Sequence, residues 1–277
     1  MMISILWYHH FLLYLCTKPI TNIAMNRRDM LKLAGTAVAG ATIFGTQALA
    51  NENSTGTAKS KTKKALIIGA HPDDPETGCG GTMLMLRKAG YEVVSVYMTK
   101  GEGGIQGKTH DEAAAIRVPE AINACKILDA RPIFLTQIDG NTEINKARYI
   151  EMREVIAKEN PDIVFTHWPI DSHPDHRVCS LLVYDAWRRL GYNFELYYFE
   201  VMSGTQTQLF SPTDYVDITS VAQQKREACL CHISQNMEPL YDGWHIPMEQ
   251  FRGLEFRCKH AEAFIHLRRS DSDIFEK

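Results

Sequence analysis

From residue 64 to about residue 201, short apolar or β-branched runs alternate with longer stretches whose apolar residues recur near every 3.6 positions. "ALIIGA", "YEVVSVYMT", "RPIFLTQ", "DIVFTHW" and "FELYYFEV" have strand composition. "GTMLMLRKAG", "DEAAAIRVPEAINACKILDA", "NKARYIEMREVIAKEN" and "HRVCSLLVYDAWRRLG" have helix composition. Regular alternation of this kind leaves few folds, because parallel strands need crossovers and the crossover helices cover both faces of the sheet. It predicts an α/β fold with a doubly wound, mostly parallel Rossmann-like sheet. Gly90 and Gly191 predict helix ends, and Pro119 predicts a break or kink. From about residue 212 the pattern changes. One short strand, "DYVDI", and two helical stretches, "SVAQQKREACLCHISQNM" and "MEQFRGLEFRCKHAEAFI", predict a C-terminal strand/helix cap packed beside the sheet.

In such sheets ligands bind beyond the carboxyl ends of the strands, where strand order reverses. In a 3-2-1-4 order that crevice lies between the first and fourth strands. "GAHPDDPETGCGGT" (69–82) follows the first and "HWPIDSHPDH" (167–176) follows the fourth. The topology therefore gathers His71, Asp73 and Asp74 with His173, Asp175 and His176. Two histidines and a carboxylate, with a fourth position for water, are a common catalytic zinc set; Fe2+ suits the same donors. His71 and Asp74, three residues apart, can converge on one ion. Asp73 then faces the water, whose pKa zinc lowers to roughly 7 in favourable cases. Of His173 and His176, one can ligate while the other does acid–base work, with Asp175 orienting His173. This is equipment for hydrolysing an amide. Each motif alone is weaker: Asp-rich loops cap helices. "GCGG" suits close helix–strand packing or a phosphate-binding turn, yet it fits no nucleotide fingerprint well and lacks a Walker lysine.

The 277 residues are 45% hydrophobic and 23% charged, with a formal net charge of -3 and no strong basic patch, which argues against nucleic acid as a partner. The seven cysteines show no CxxC pair, so a cysteine zinc site is not expected. Cys79, Cys125 and Cys179 read as free buried thiols, and Cys229 and Cys231 are poorly spaced to bond to each other. Residues 25–50, "MNRRDMLKLAGTAVAGATIFGTQALA", combine a twin arginine (Arg27, Arg28), a mild apolar stretch and Ala48-Leu49-Ala50. They predict a twin-arginine-type export signal, cleaved after Ala50, and a periplasmic location. Residues 1–24 read as a mis-called start with Met25 the true first residue, a membrane anchor being the second reading. Residues 51–63 read as a flexible linker and residues 64–277 as a single domain, with no stable membrane span in the mature protein.

The chain resembles the PIG-L/LmbE family of zinc-dependent N-acetylglucosaminyl deacetylases. The resemblance rests on "AHPDD" with "GCGGT", "TKGEGG", "AAAIRVPEAINACKILD", "THWPIDSHPDHR", "KREACLCHISQ" and "AEAF", which span nearly all of 64–266. It implies an LmbE-like fold and a small amino-sugar substrate. It also implies His71, Asp74 and His176 as zinc ligands, Asp73 as general base, His173 as general acid or oxyanion donor with Asp175 behind it, and Arg117 near the substrate. His167 and His232 match family positions without an assigned role; His110, His245, His260 and His266 read as surface or packing residues. Two positions depart from the family: Pro75 stands where glutamate is common, glutamate following as Glu76, and Pro119 replaces an ordinary helical residue. The alternatives are a metal-dependent phosphoesterase, for which a two-metal site would want more carboxylates, and a non-catalytic sugar-binding protein, which would not require Asp73. The sequence leaves homo-oligomerisation and the sugar's identity open.

Overall fold

The structure, a computed structural model, describes residues 62–268. The expected export signal and nearly all of the linker lie outside the described residues. Seven strands form one sheet: β1 (Lys64–Gly69), β2 (Glu92–Tyr97), β3 (Arg131–Phe134), β4 (Ile163–His167), β5 (Glu195–Phe199), β6 (Asp214–Asp217) and β7 (Ala261–Leu267), in the order β3-β2-β1-β4-β5-β7-β6. The first five are parallel, and β7 and β6 add two antiparallel strands at one edge. Strand order reverses between β1 and β4, where the sequence places the crevice.

Side chains alternate across the sheet, so each strand feeds two cores. Leu66, Ile68, Val94 and Val96 pack with Met152 and Ile156 of α3 (Lys146–Glu159) and with Leu182, Val183 and Ala186 of α4 (Pro174–Arg189). Ala65, Ile67 and Val93 face the other way, onto Cys79, Met83 and Leu84 of α1 (Asp74–Lys88), Ala124 and Leu128 of α2 (His110–Leu128), and Ala228 of α5 (Ala222–Cys229). Helices thus cover both faces.

Helix α1 begins at Asp74, seven residues before the stretch predicted helical, so "GCGG" is helix rather than turn. Three glycines in a helix cost propensity. Here they let α1 sit close on its neighbours: a Cβ on Gly78 would lie 2.5 Å from the Phe199 ring and one on Gly81 2.5 Å from Ile218. Pro75 falls in the first helical turn, where its missing N–H costs nothing. Helix α2 runs unbroken through Pro119.

The C-terminal part departs further from expectation. The first predicted helix shrinks to α5, followed by a short 3-10 turn, Ile233–Gln235. Next come α6 (Met237–Leu240), a π-helical turn at Tyr241–His245 and α7 (Ile246–Phe256). Arg257 takes a left-handed conformation (φ 63°) and stops α7, which frees "AEAFIHL" to pair as β7. The cap is therefore partly an extension of the main sheet. Buried Lys225 on α5 ties this region to α1: its Nζ lies 2.7 Å from Glu262 Oε1 and 2.8 Å from Glu249 Oε1. Glu262 in turn accepts from the N–H groups of Gly81 and Thr82. Cys79, Cys125, Cys179 and Cys229 are buried free thiols, and Cys231 and Cys258 are free as well. Among the described residues, no helix is long and apolar enough to cross a membrane.

Candidate active site and metal centre

The loop after β1 and the loop after β4 meet beyond the carboxyl ends of adjacent strands. Asp73 is the N-cap of α1, with φ 119°, a conformation costly for any residue with a side chain, though Asp and Asn accept positive φ best. Glu76, three residues on, accepts from the Asp73 N–H at 3.2 Å. The departure from the family pattern thus leaves a buried carboxylate at the third helical position, and it also accepts from Tyr97 Oη. His173 caps α4: its Nδ1 accepts from the Asp175 N–H at 3.2 Å, and its own N–H donates to Asp171 Oδ1 at 2.8 Å.

The two adjacent aspartates face different partners. Asp74 lies among histidines: Oδ2 is 3.2 Å from His71 Nδ1 and 3.2 Å from His167 Nε2, and Oδ1 is 3.3 Å from His176 Nε2. Burial opposes its ionisation, but His176 and His167 hold its carboxyl well below the usual range. Asp73 Oδ2 instead accepts from Arg117 Nη2 at 3.0 Å. Burial pushes the Asp73 carboxyl up to about 6, Arg117 pulling it down and Asp74 pushing it further up. A carboxylate near neutrality is suited to take a proton.

Arg117 is buried rather than on a helix surface. It also donates to Pro72 O at 2.6 Å and Gly101 O at 3.4 Å, and its Nη1 lies 3.6 Å from Asp139 Oδ2. Gly101 and Gly104 of "TKGEGG" are glycines for a spatial reason: a Cβ on either would stand 2.5 or 2.1 Å from the Arg117 guanidinium.

The ring nitrogens show which histidines have a lone pair to offer. His71 turns Nε2 to Asp175 Oδ2 at 3.1 Å and Asp139 Oδ1 at 3.2 Å, leaving Nδ1 toward Asp74. His176 turns Nδ1 to Asp171 Oδ2 at 3.2 Å, leaving Nε2 toward Asp74. A carboxylate behind the outer ring nitrogen is the usual support of a metal-ligating imidazole. His167 differs: its Nε2 accepts from the Ala70 N–H at 3.0 Å. Burial and neighbouring His176 depress that ring to about 4. Burial would depress His176 too, yet Asp74 and Asp171 carry it up to about 9; His71 rises well above its usual value against burial through Asp139, Asp175 and Asp74. The site favours a cation at both rings, and a metal ion can take the place of those protons. Among the described residues, three donor groupings could hold one: His71/His173/His176, Asp74/His167/His176 and His71/Asp139/Asp175.

The structure brings together all six predicted loop residues, with one difference in contacts. The Asp175 carboxylate does not face His173; it binds His71 Nε2, the Gly140 N–H at 2.8 Å and Thr142 Oγ1 at 2.6 Å. Sequence reasoning missed Asp139 and assigned Asp171 no part. Asp139 lies in the loop after β3, also at the carboxyl end of the sheet, and that position was the available signal. His232 and His245, the latter expected at the surface or in packing, are both buried. A cavity of about 310 Å³ opens over the cluster, lined by Asp73, Asp74, Arg117, Asp139, His173 and His176 and, from the other side, by Met202, Gln206, Gln235, Met237, Leu240 and His245.

Residues 66–187 match the GlcNAc-PI de-N-acetylase (PIG-L) family. Diacetylchitobiose deacetylase of Thermococcus kodakarensis is 32% identical over 199 residues, 66% of this chain and 73% of that protein. The solved structure of N,N'-diacetylchitobiose deacetylase from Pyrococcus horikoshii with its inhibitor MPG aligns with a TM-score of 0.66 and 27% identity, over 75% of this chain and 84% of that one. A 4-oxalmesaconate hydratase of Pseudomonas putida is 27% identical over 192 residues, 62% of this chain and 74% of that protein.

Proposed function

The chain belongs to the PIG-L family, and from that premise we propose that it is a metal-dependent hydrolase removing the acetyl group from an N-acetylglucosamine-type amino sugar. The observation that carries this reading is the division of labour between Asp73 and Asp74. One carboxylate is enclosed by histidines and the other is free of them beside the cavity. A non-catalytic binding protein on this fold gives no comparable reason for a second carboxylate held apart beside the cavity.

In this reading His71 Nδ1, Asp74 and His176 Nε2 hold the metal, a set that draws on all three groupings without matching any one of them, supported by Asp139 and Asp175 behind His71 and Asp171 behind His176. Zinc is the proposed ion, with Fe2+ suited to the same donors. When bound, such an ion supplies Lewis acidity toward the amide carbonyl and acidifies water. Asp73 takes the proton from the attacking water. His173, whose Nδ1 is occupied by the Asp175 N–H, carries its proton on Nε2. From there it can donate to the oxygen that gains charge, or to the departing amine nitrogen. Arg117 is a positioning residue in this scheme: its contacts with Pro72 O and Asp73 hold the base in a conformation the backbone alone disfavours.

The test is acetate release from a panel of N-acetylated amino sugars, with phosphate release from sugar phosphates and hydration of an unsaturated dicarboxylate run in parallel. Acetate release abolished by chelation and restored by zinc or iron is the expected result; turnover in either other assay alone overturns it. Export through a twin-arginine-type signal is proposed as well, on the pattern at residues 25–50. The mature protein is then expected to begin at or near Asn51, and N-terminal sequencing that finds residues 1–24 retained rejects this.

A further inference from the structure

Met237 to Phe256 run as one continuous helical rod. Leu240 and Tyr241 at the first junction, and His245 and Ile246 at the second, keep right-handed helical backbone, and the Ile246 N–H donates to Tyr241 O across the π-helical turn. At about 1.5 Å per residue the rod is about 30 Å long. One face is buried. Tyr241, His245, Glu249 and Arg252 point into the fold, and the Tyr241 hydroxyl donates to Glu249 Oε1 at 2.7 Å. The other face carries a second stripe. Leu240, Trp244, Pro247, Phe251 and Leu254 recur at alternating spacings of four and three residues, and all five are exposed, Phe251 by 55% and Leu254 by 78%. Such spacing lines side chains up along one side of a helix. A single exposed leucine needs no explanation, but an unbroken apolar line does. A helix apolar on two opposite sides is one that packs on both.

The charges along the rod indicate what covers the stripe. Near its start, exposed Glu238 and Asp242 share one arginine, Arg226. At its end, exposed Arg257 and Lys259 have no carboxylate partner among the described residues. The rod is thus acidic at one end and basic at the other. A second copy laid antiparallel about Pro247 sets each acidic end against the other's basic end, Glu238 near Arg257, and brings Leu240 opposite Leu254. A parallel copy sets like charges together, and exposed Glu238, Asp242 and Glu255 disfavour an anionic lipid surface. The area agrees. Aromatic side chains offer roughly 150–250 Å² each. At the exposures of this stripe its five side chains come to about 500 Å² per copy, or about 1,000 Å² for a pair, where stable interfaces begin.

We propose that the stripe Leu240–Trp244–Pro247–Phe251–Leu254 is the seam of a two-fold homodimer, in which the rods of two copies of this chain pack antiparallel. The seam is isologous: one patch serves both copies. It bears on the site as well, because Met237, Leu240 and His245 of the same rod line the cavity, and a second copy braces that wall from behind. The proposal assumes nothing about the reaction and stands or falls apart from it. An interface of this size predicts a dissociation constant of about 1–10 µM. Sedimentation velocity of the full-length protein across that range should show monomer giving way to dimer. Leu254→Glu, which places a carboxylate in the seam twice over, should weaken the dimer at least about a hundredfold. Glu238→Lys and Arg257→Glu should each weaken it about three- to tenfold, since each acts twice across the axis. The double variant, with the two charges exchanged, should return to within about twofold of wild type. Circular dichroism checks that every variant is folded. A wild type that stays monomeric overturns the seam, as does a dimer untouched by Leu254→Glu in a folded protein. A dimer that the exchanged charges fail to restore overturns the antiparallel arrangement. A monomer that binds phosphatidylglycerol vesicles, and loses them on Leu254→Glu, assigns the stripe to a lipid surface and overturns the proposal.

Discussion

Asp73→Asn is expected to lose turnover by about a hundredfold to ten-thousandfold, the range for removing a general base, while keeping its metal. Asparagine has the size and polarity of aspartate and cannot take the proton. The backbone gives no objection, because residue 73 sits at φ 119° and asparagine tolerates positive φ as well as aspartate does. Arg117 loses a charged partner but keeps Pro72 O, Gly101 O and the nearby Asp139 carboxylate, so the loop has the means to hold its shape. Asp73 touches none of the ring nitrogens that face Asp74, so the donor set is left whole. Acetate release and metal analysis on the same preparation check both halves. Near-normal turnover with the metal in place removes Asp73 from the base role. Loss of the metal places Asp73 in the donor set instead.

The crevice was legible in the sequence because two periodic signals locate it. Strand–helix alternation sets the sheet, and the two His-Pro-Asp elements follow the strands that flank the reversal. What stayed hidden depends on contacts distant in sequence. The first turns of α1 were obscured because Pro75, Gly78, Gly80 and Gly81 have poor helix propensity. Packing against Phe199, Ile218 and Lys225 overrides it. β7 was absorbed into the preceding helix because "AEAFIHL" follows an amphipathic stretch with no proline or glycine at the junction. Its strand character comes from pairing with both β5 and β6. Asp139 carries no motif of its own, and only the position of its loop at the carboxyl end of β3 brings it to His71. His245 could not be told from a surface histidine, since its burial comes from the π-helical turn and the Tyr241–Glu249–Lys225 network beneath it.

His176→Gln is expected to weaken metal binding by more than about a hundredfold, since removal of a supporting partner alone costs 10- to 100-fold. His176, like His71, belongs to two of the three donor groupings, so its loss leaves only one of them whole. Glutamine keeps much of the volume and can still donate to Asp171, which limits the cost of leaving two buried carboxylates, Asp74 and Asp171, without a cation. Two further variants separate the groupings. His167→Gln should hold metal within about tenfold of wild type, because the His167 Nε2 lone pair already accepts from the Ala70 N–H and is not free for an ion. Asp171→Asn should fall between, losing about 10- to 100-fold, because Asp171 acts through His176, fixing which of its nitrogens is protonated, while asparagine Oδ1 can still accept from the His173 N–H. Competition with a chromophoric chelator gives all three affinities on one scale. The order His176→Gln worst, Asp171→Asn intermediate and His167→Gln mildest is the signature of a centre built on His71, Asp74 and His176. If His167→Gln instead matches His176→Gln, the ion lies deeper, between Asp74, His167 and His176, and the Ala70 N–H must release that nitrogen when metal binds.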